Sequence, residues 1–286
     1  MEKNSKKFQF VAAIFVFSLF LIFIFPFIIV IINSFKTTSE FISDALSLPT
    51  SLNLSNFKDA YKKMNFMHSF YNTLVITVLS TLFINLAASM TAHLFVRNKW
   101  KINRFMFFLM LASMIIPFQA IMIPLVKVYS SFDFFGIPVL KDIHMFNNMG
   151  SLIYMYVGFG LSMAVFIYHG FIKSIPVELE EAAVIDGCTR IQTFFKIVVP
   201  LLKNTTITVV ILDVLWIWND FLLPNLILLS PNLRTLQLST YNFFGSYATD
   251  YGPLMAGLLM TMIPLLALFL FLQKHIITGV ISGSIK

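Results

Sequence analysis

The sequence predicts an all-α integral membrane protein with six transmembrane helices, and three observations predict it. The first is composition. Of 286 residues, 58% are AVILMFWYC and only 12% are DEKR, against roughly 45–50% apolar and 25% charged in soluble domains. Half the usual charge cannot furnish a water-facing surface, and 33 Phe leave lipid as the main solvent. The second is the length of the apolar runs. A helix needs ~20 mostly apolar residues to cross a ~30 Å hydrocarbon core, and six stretches qualify: 10–32, 70–92, 105–127, 151–172, 201–223 and 253–272. The third is that Lys and Arg collect in alternate connections, as they do when basic residues fix the direction of insertion. The organisation that follows is a cytoplasmic N-terminus (1–9), a first span (10–32), an extracytoplasmic loop (33–69), a five-helix core (70–273) and a cytoplasmic tail (274–286).

Each element has its own reason. The first apolar run is too long for a cleavable signal peptide, and Asn33-Ser34-Phe35-Lys36 follows it in place of a small-residue cleavage site, so it is expected to remain as an anchor. Lys3, Lys6 and Lys7 precede it and set its N-terminus inside. In the loop 33–69, residues 56–63 read as a short amphipathic helix capped by Ser55 or Asn56 and lying at the outer interface. Between the second and third runs stand Arg97, Lys99, Lys101 and Arg104 with no acid among them, a cytoplasmic signature. Gly136-Ile137-Pro138 marks a turn in the next outward loop, and Ser230-Pro231-Asn232 another after the fifth run. Lys173, Arg190, Lys196, Lys203, Lys274 and Lys286 return to the inner side, which thereby holds thirteen of the twenty cations. One missed span would invert every later assignment.

The connection 173–204, KSIPVELEEAAVIDGCTRIQTFFKIVVPLLKN, is longer and more ordered than a linker needs to be. Pro176 suits a first helical position, and Glu178, Glu180 and Glu181 complement the positive end of a helix dipole. Gly187 permits a sharp change of direction, and a second periodic stretch through Ile191, Phe194, Phe195 and Val198 leads to Pro200, which fixes the exit of the chain toward the fifth span. Helix, bend, helix, membrane is the predicted order. Small side chains at Ala182 and Ala183 would let another protein approach the backbone closely; an amphipathic hairpin resting on headgroups is the plainer alternative.

Glu181-Ala182-Ala183-x-x-Asp186-Gly187, followed by Phe195, Ile197 and Pro200-Leu201, resembles the EAA loop of permease subunits in binding-protein-dependent ABC importers. Trp218-Asn219-Asp220-Phe221-Leu222-Leu223-Pro224, Pro264 and the ending through Gly279 and Gly283 are similar to the carbohydrate-uptake branch and, within it, to the second, maltose-type permease with six spans. Cys188 departs from the pattern, where Ala is usual. The resemblance implies the type I ABC importer permease architecture, with 173–204 as a cytoplasmic coupling-helix loop in which Glu181, Ala182, Ala183, Asp186, Gly187 and Pro200 engage an ATPase. It implies as partners a second permease forming a heterodimer, a cytoplasmic ATPase dimer that binds ATP and Mg, and an extracytoplasmic solute-binding protein. The setting implied is a bacterial cell membrane, crossed several times, with both termini cytoplasmic. The implied function is half of the translocation path for a carbohydrate, an oligosaccharide above all.

The chain itself reads as no enzyme. It has no Gly-Lys pair and hence no phosphate-binding loop of the GxxxxGK[ST] type, and no cofactor is expected on it. Single Cys188 excludes an internal disulfide framework. The five histidines have no ligand spacing, and the net charge of +7 is spread between apolar runs rather than clustered as nucleic-acid binding requires. Asp213, inside the fifth run, is costly in lipid and should face a bundle interior or wet cavity. With Trp216, Asn219 and Asp220 it offers aromatic planes, carboxylates and an amide suited to a sugar path. The alternative is an interhelical hydrogen bond at Asp213 and tryptophans in the interfacial belt; Asn85 admits the same two readings. An ion-coupled secondary transporter or channel subunit is the competing class. It would need a coupling-ion site and commonly internal repeats, and Asp213 is the one buried acid with no repeat visible.

Overall fold

In a computed structural model, residues 2–130, 147–244 and 249–284 are described, with side chains over 9–129, 147–244 and 249–271. The Gly136-Ile137-Pro138 turn, His144 and Lys286 lie outside the described residues. Among the described residues the α-helices are α1 (Glu2–Ser34), α2 (Thr38–Ser43), α3 (Ser55–Lys63), α4 (Phe66–Arg97), α5 (Lys101–Ser113), α6 (Phe118–Ser130), α7 (Met149–Ile172), α8 (Glu178–Ile185), α9 (Arg190–Thr193), α10 (Val199–Leu201), α11 (Lys203–Asn219), α12 (Leu222–Ile227), α13 (Leu236–Ser239) and α14 (Tyr251–Ser284).

Among the described residues, four helical stretches are long and apolar enough to cross a membrane: Gln9–Ser34, Phe66–Arg97, Met149–Ile172 and Tyr251–Phe271. Two further spans qualify only as broken pairs. Lys101–Ser113 and Phe118–Tyr129 meet at 106°, and Arg190–Leu201 and Lys203–Asn219 at 76°. The third span, expected as one run over 105–127, is therefore bent within that run, whereas the second bend falls at the start of the expected fifth run 201–223, which continues as the single helix α11. Pro117 stands in the first break and removes a backbone donor there. In the second, a π-helical turn at Phe194–Val198 widens the backbone just ahead of Pro200, and the chain turns at Leu202. The expected tail at 274 is also helical, since α14 continues to Ser284.

The chain divides into two compact units. The first joins Met1–Met67 to Ser239–Pro264. In it α1 exposes Phe, Ile and Val on every side along its apolar length, the mark of a helix solvated by lipid. Beyond that stretch the chain folds back on itself around fully buried Lys36, whose Nζ donates to Asp44 O (2.9 Å) and Ser47 Oγ (3.2 Å). The expected cap of α3 is corrected: Asn53 Oδ1 accepts the Ser55 N–H (3.1 Å), while Asn56 is buried and donates to the carbonyls of Ser34 and Lys36 (2.8 and 2.7 Å). Asp250 reaches Lys63 and Thr38, and Asn242 Nδ2 donates to Lys63 O (2.8 Å). Gly252 is required here, because a Cβ would stand 2.7 Å from Lys36 O.

The second unit joins His68–Leu238 to Leu265–Lys286. Its core is formed by Ile76, Ile84, Ala88 and Ala92 of α4, Leu152, Tyr156, Val165 and Tyr168 of α7, and Val209 and Ile217 of α11. Its connections are bonded in two sets. Asn72 Nδ2 donates to the carbonyls of Asn232 and Arg234 (2.9 and 3.1 Å), and Asn147 Oδ1 accepts the N–H groups of Leu229 and Ser230 (3.0 and 2.8 Å). The other set joins Arg97 to Ile175 and Glu180. His93 Nε2 also meets Glu180 Oε2, and Asn72 and His93, the nearest members of the two sets on α4, stand 21 positions apart, ~30 Å at the ~1.5 Å rise of an α-helix, the thickness of a bilayer's hydrocarbon core.

Candidate functional site

The 173–204 connection folds as its sequence foretold in outline. α8 opens on three acids, Glu178, Glu180 and Glu181, as the dipole favours. Pro176 is not its first residue; Val177 is the N-cap, so the proline ends the preceding segment. The helix closes on Gly187 at φ +88. There the Gly187 N–H donates to Val184 O (3.0 Å) and the Cys188 N–H to Ala183 O (2.9 Å), the Schellman pattern that satisfies the last carbonyls of a helix. A capping box then starts α9: the Thr189 hydroxyl accepts from Gln192 N while the Gln192 side chain accepts from Thr189 N. The sequence signal for this second cap is the T-x-x-Q spacing of Thr189 and Gln192.

The residues expected to face a partner divide by exposure. Glu181, Ala182, Asp186, Gly187 and Pro200 are exposed, while Ala183 is buried. Ile185 and Ile191 are 85% and 70% exposed, apolar area that a second surface would cover. Glu180, by contrast, is largely covered, its side chain 12% exposed. Its carboxylate accepts from His93 Nε2 and Arg97 Nε, each at 2.8 Å. Sequence reasoning took Glu180 as a dipole charge and Arg97 as a topological one; the structure brings them together.

The four residues expected along a path do not form one cluster. Asp213 is buried and accepts from Asn85 Nδ2 (3.3 Å). Asn85 also donates to Thr81 O (2.8 Å), its side-chain oxygen accepts from the Tyr168 hydroxyl (2.7 Å), and that hydroxyl lies 2.9 Å from Thr206 Oγ1. This polar knot joins α4, α7 and α11 in a setting where an unmet polar group is expensive. A turn or two further along α11, Trp216 meets Tyr156 edge-on at 5.4 Å between centroids. The Tyr156 hydroxyl donates to Asp220 Oδ2 (2.9 Å), while Asp220 Oδ1 accepts the Leu222 N–H (2.9 Å) and so starts α12. Trp216 and Asn219 are exposed, whereas Trp218 is buried against Phe70. Tyr156 and Tyr168 were missed from sequence because an aromatic hydroxyl in an apolar run carries no spacing signal.

Residues 84–282 match the family model of the binding-protein-dependent transport system inner membrane component. The chain belongs to this family. The permease is 41% identical over 266 residues to the probable starch degradation products transport system permease protein AmyC of Thermoanaerobacterium thermosulfurigenes, with 93% of each chain covered. It is 35% identical over 262 residues to the melibiose/raffinose/stachyose import permease protein MelC of Bacillus subtilis, with 91% of each covered. In fold it is similar, with a TM-score of 0.75 at 17% identity, to a chain from a bacterial ABC transporter involved in the import of the acidic polysaccharide alginate, covering 95% of this chain and 97% of that one. The permease is thus a non-catalytic, multi-pass inner-membrane component of a binding-protein-dependent ABC import system, and its family implies an ATPase and a binding protein as partners.

Proposed function

We propose that the permease forms half of the translocation path of an ATP-driven carbohydrate importer, with an oligosaccharide as the substrate class, and that residues 173–204 couple it to the ATPase. The observation that carries the coupling reading is the exposed face of α8 and α9, where Glu181, Ala182 and Asp186 lie beside uncovered Ile185 and Ile191. Acids, a small side chain and bare apolar area together fit a protein docking surface better than a headgroup layer. The carbohydrate reading is supported by the names of the relatives, which specify starch degradation products and melibiose, raffinose and stachyose.

The remaining partners are a second permease in a heterodimer, a cytoplasmic ATPase dimer holding ATP and Mg, and an extracytoplasmic solute-binding protein. Six spans, with 1–9 and 274–286 both cytoplasmic in a bacterial cell membrane, fit the two sets of bonded connections ~30 Å apart on α4 and the thirteen cations assigned inside. Trp216 and Asn219, exposed on α11, and Asp220 beside them are the side chains offered to the sugar; Asp213 sits deeper and acts through Asn85.

The test is uptake of radiolabelled maltotriose and raffinose into proteoliposomes holding the whole complex. Uptake of either sugar that requires both ATP and the binding protein is the expected result. Accumulation by the purified permease alone under an ion gradient would establish the secondary-transporter class instead.

A further inference from the structure

The loop read as the coupling element meets α4 through a polar clamp, beside the apolar packing of Ile175, Phe194 and Val198 in the core of the second unit. Of its four acids, Glu178, Glu181 and Asp186 are exposed, whereas the Glu180 side chain is only 12% exposed. Arg97, the last residue of α4, donates from Nε to Glu180 Oε1 (2.8 Å) and from Nη2 to Ile175 O (3.0 Å), so one guanidinium grips both α8 and the segment leading into it. One turn earlier on α4, His93 Nε2 donates to the other carboxylate oxygen at 2.8 Å, and its ring packs on Phe194 at 5.2 Å between centroids. The end of α4 thus touches the segment before the loop helix, the helix itself and the π-helical turn after it.

Around this clamp the loop is undercut. A cleft of about 810 Å³ lies between α4 and the loop, lined among others by Met90, Leu94, Val184 and Ile191. Apolar packing is therefore incomplete there, and charge-assisted hydrogen bonds, roughly twice as strong as neutral ones, join the two elements. A partly buried pair is also screened little by salt, and the rigid guanidinium fork fixes direction as well as distance.

We propose that Glu180, clamped by His93 and Arg97, is a positioning residue for transport: it ties the loop to α4, so that a displacement of the loop carries the second span with it. This rests on the reading of 173–204 as the coupling loop. Without the clamp, the loop would transmit motion through its covalent ends at α7 and α11 and the apolar packing of Ile175, Phe194 and Val198, leaving α8 without this tie to α4.

The experiment uses the complete importer in nanodiscs, in a Cys188→Ala background, with spin labels at Ile185→Cys and Met90→Cys, compared before and after trapping with ATP, Mg and vanadate. In the otherwise unaltered protein the distance between the labels is expected to stay constant, because loop and helix move as one body. In Glu180→Gln it is expected to shift on trapping by more than the ~2 Å of ordinary helix shifts at interfaces, and the charge-swapped pair Glu180→Arg with Arg97→Glu is expected to restore constancy, a rescue that a merely structural role would not give. An unchanged distance in Glu180→Gln overturns the proposal. If that variant does not assemble, Arg97→Lys takes its place, since lysine keeps the charge and loses the fork; an unchanged distance there overturns the proposal equally. Cross-linking of Ile185→Cys to the ATPase is scored separately. Its absence removes the coupling reading and this inference with it, whereas its presence with an unmoved distance in Glu180→Gln removes the clamp alone.

Discussion

Tyr168 donates its hydroxyl to Asn85 Oδ1 at 2.7 Å, and Asn85 turns its amide N–H toward Asp213, 3.3 Å away. One asparagine thereby serves a phenol from α7 and a carboxylate from α11 while it sits on α4. The arrangement uses both ends of the amide, as only Asn or Gln can.

Replacing that asparagine should cost more than its own bonds. Asn85→Leu leaves the Asp213 carboxylate buried without its partner, an orphan that costs about 1–3 kcal/mol, and leaves the Tyr168 hydroxyl with Thr206 alone. A clear fall in the thermal midpoint of the purified permease is expected. Asp213→Asn, which keeps an acceptor for Asn85, should lower it far less; equal losses in the two variants would contradict the role given to Asn85.

Gly160 lets α7 approach its neighbours. A Cβ at this position would lie 2.6 Å from Ile84 Cδ1 and 3.4 Å from Trp216 Cζ3, and Ile84 is fully buried. Gly160→Ala should therefore destabilise by the ~1–3 kcal/mol of an overpacked core. Adding Ile84→Val, which removes the colliding methyl, should recover much of that loss in a double-mutant cycle. Simple additivity of the two substitutions would show that the contact is not the cause.

Gly187 holds φ at +88 with open space about its missing Cβ, so conformation and not crowding demands glycine. A left-handed residue costs roughly 1–2 kcal/mol for ordinary L-amino acids and more for a β-branched one. Gly187→Val is expected to insert normally yet hydrolyse ATP without matching sugar uptake in proteoliposomes, while Gly187→Asn, tolerated at such caps, should retain most of the coupling. Normal uptake per ATP by Gly187→Val would refute the link between this bend and coupling.

Glu40 gives a pH test outside the membrane spans. The Thr50 hydroxyl, followed by the Thr37 backbone N–H, holds its carboxyl at about 2, below the usual 4.5. A carboxylate depressed on folding stabilises the folded state above its unfolded value, and that contribution fades as pH falls from about 4.5 toward 2. Carbon-13 titration of the Glu40 carboxyl should place its midpoint near the lower figure, and Thr50→Val should raise it. A midpoint at the ordinary value in the unaltered protein would show that the Thr50 bond does not form in solution.

The capping box of α2 explains why part of this was legible beforehand and part was not. Thr37 and Glu40 are three residues apart, so a local rule pairs them; Thr50 is ten residues from Glu40, and no spacing rule connects the two. The same division runs through the coupling loop. The bend at Gly187, the acids at the head of α8 and the exposed Glu181, Ala182 and Asp186 follow from residue types at short range. The covering of Glu180 depends on Arg97, eighty-three residues away.

Lipid as solvent is decided by sequence alone, because the scarcity of charge and the lengths of the apolar runs are one-dimensional facts, and the alternation of basic connections orders those runs without any coordinate. Tertiary structure decided that the third span is broken, since a hydropathy run cannot register a 106° bend within it. It also decided that Asp213 meets Asn85 while Asp220 meets Tyr156. Two acids seven residues apart on one apolar run look alike in sequence; which side chains face them depends on how α4 and α7 pack against α11, and that packing is settled only when all three helices are in place.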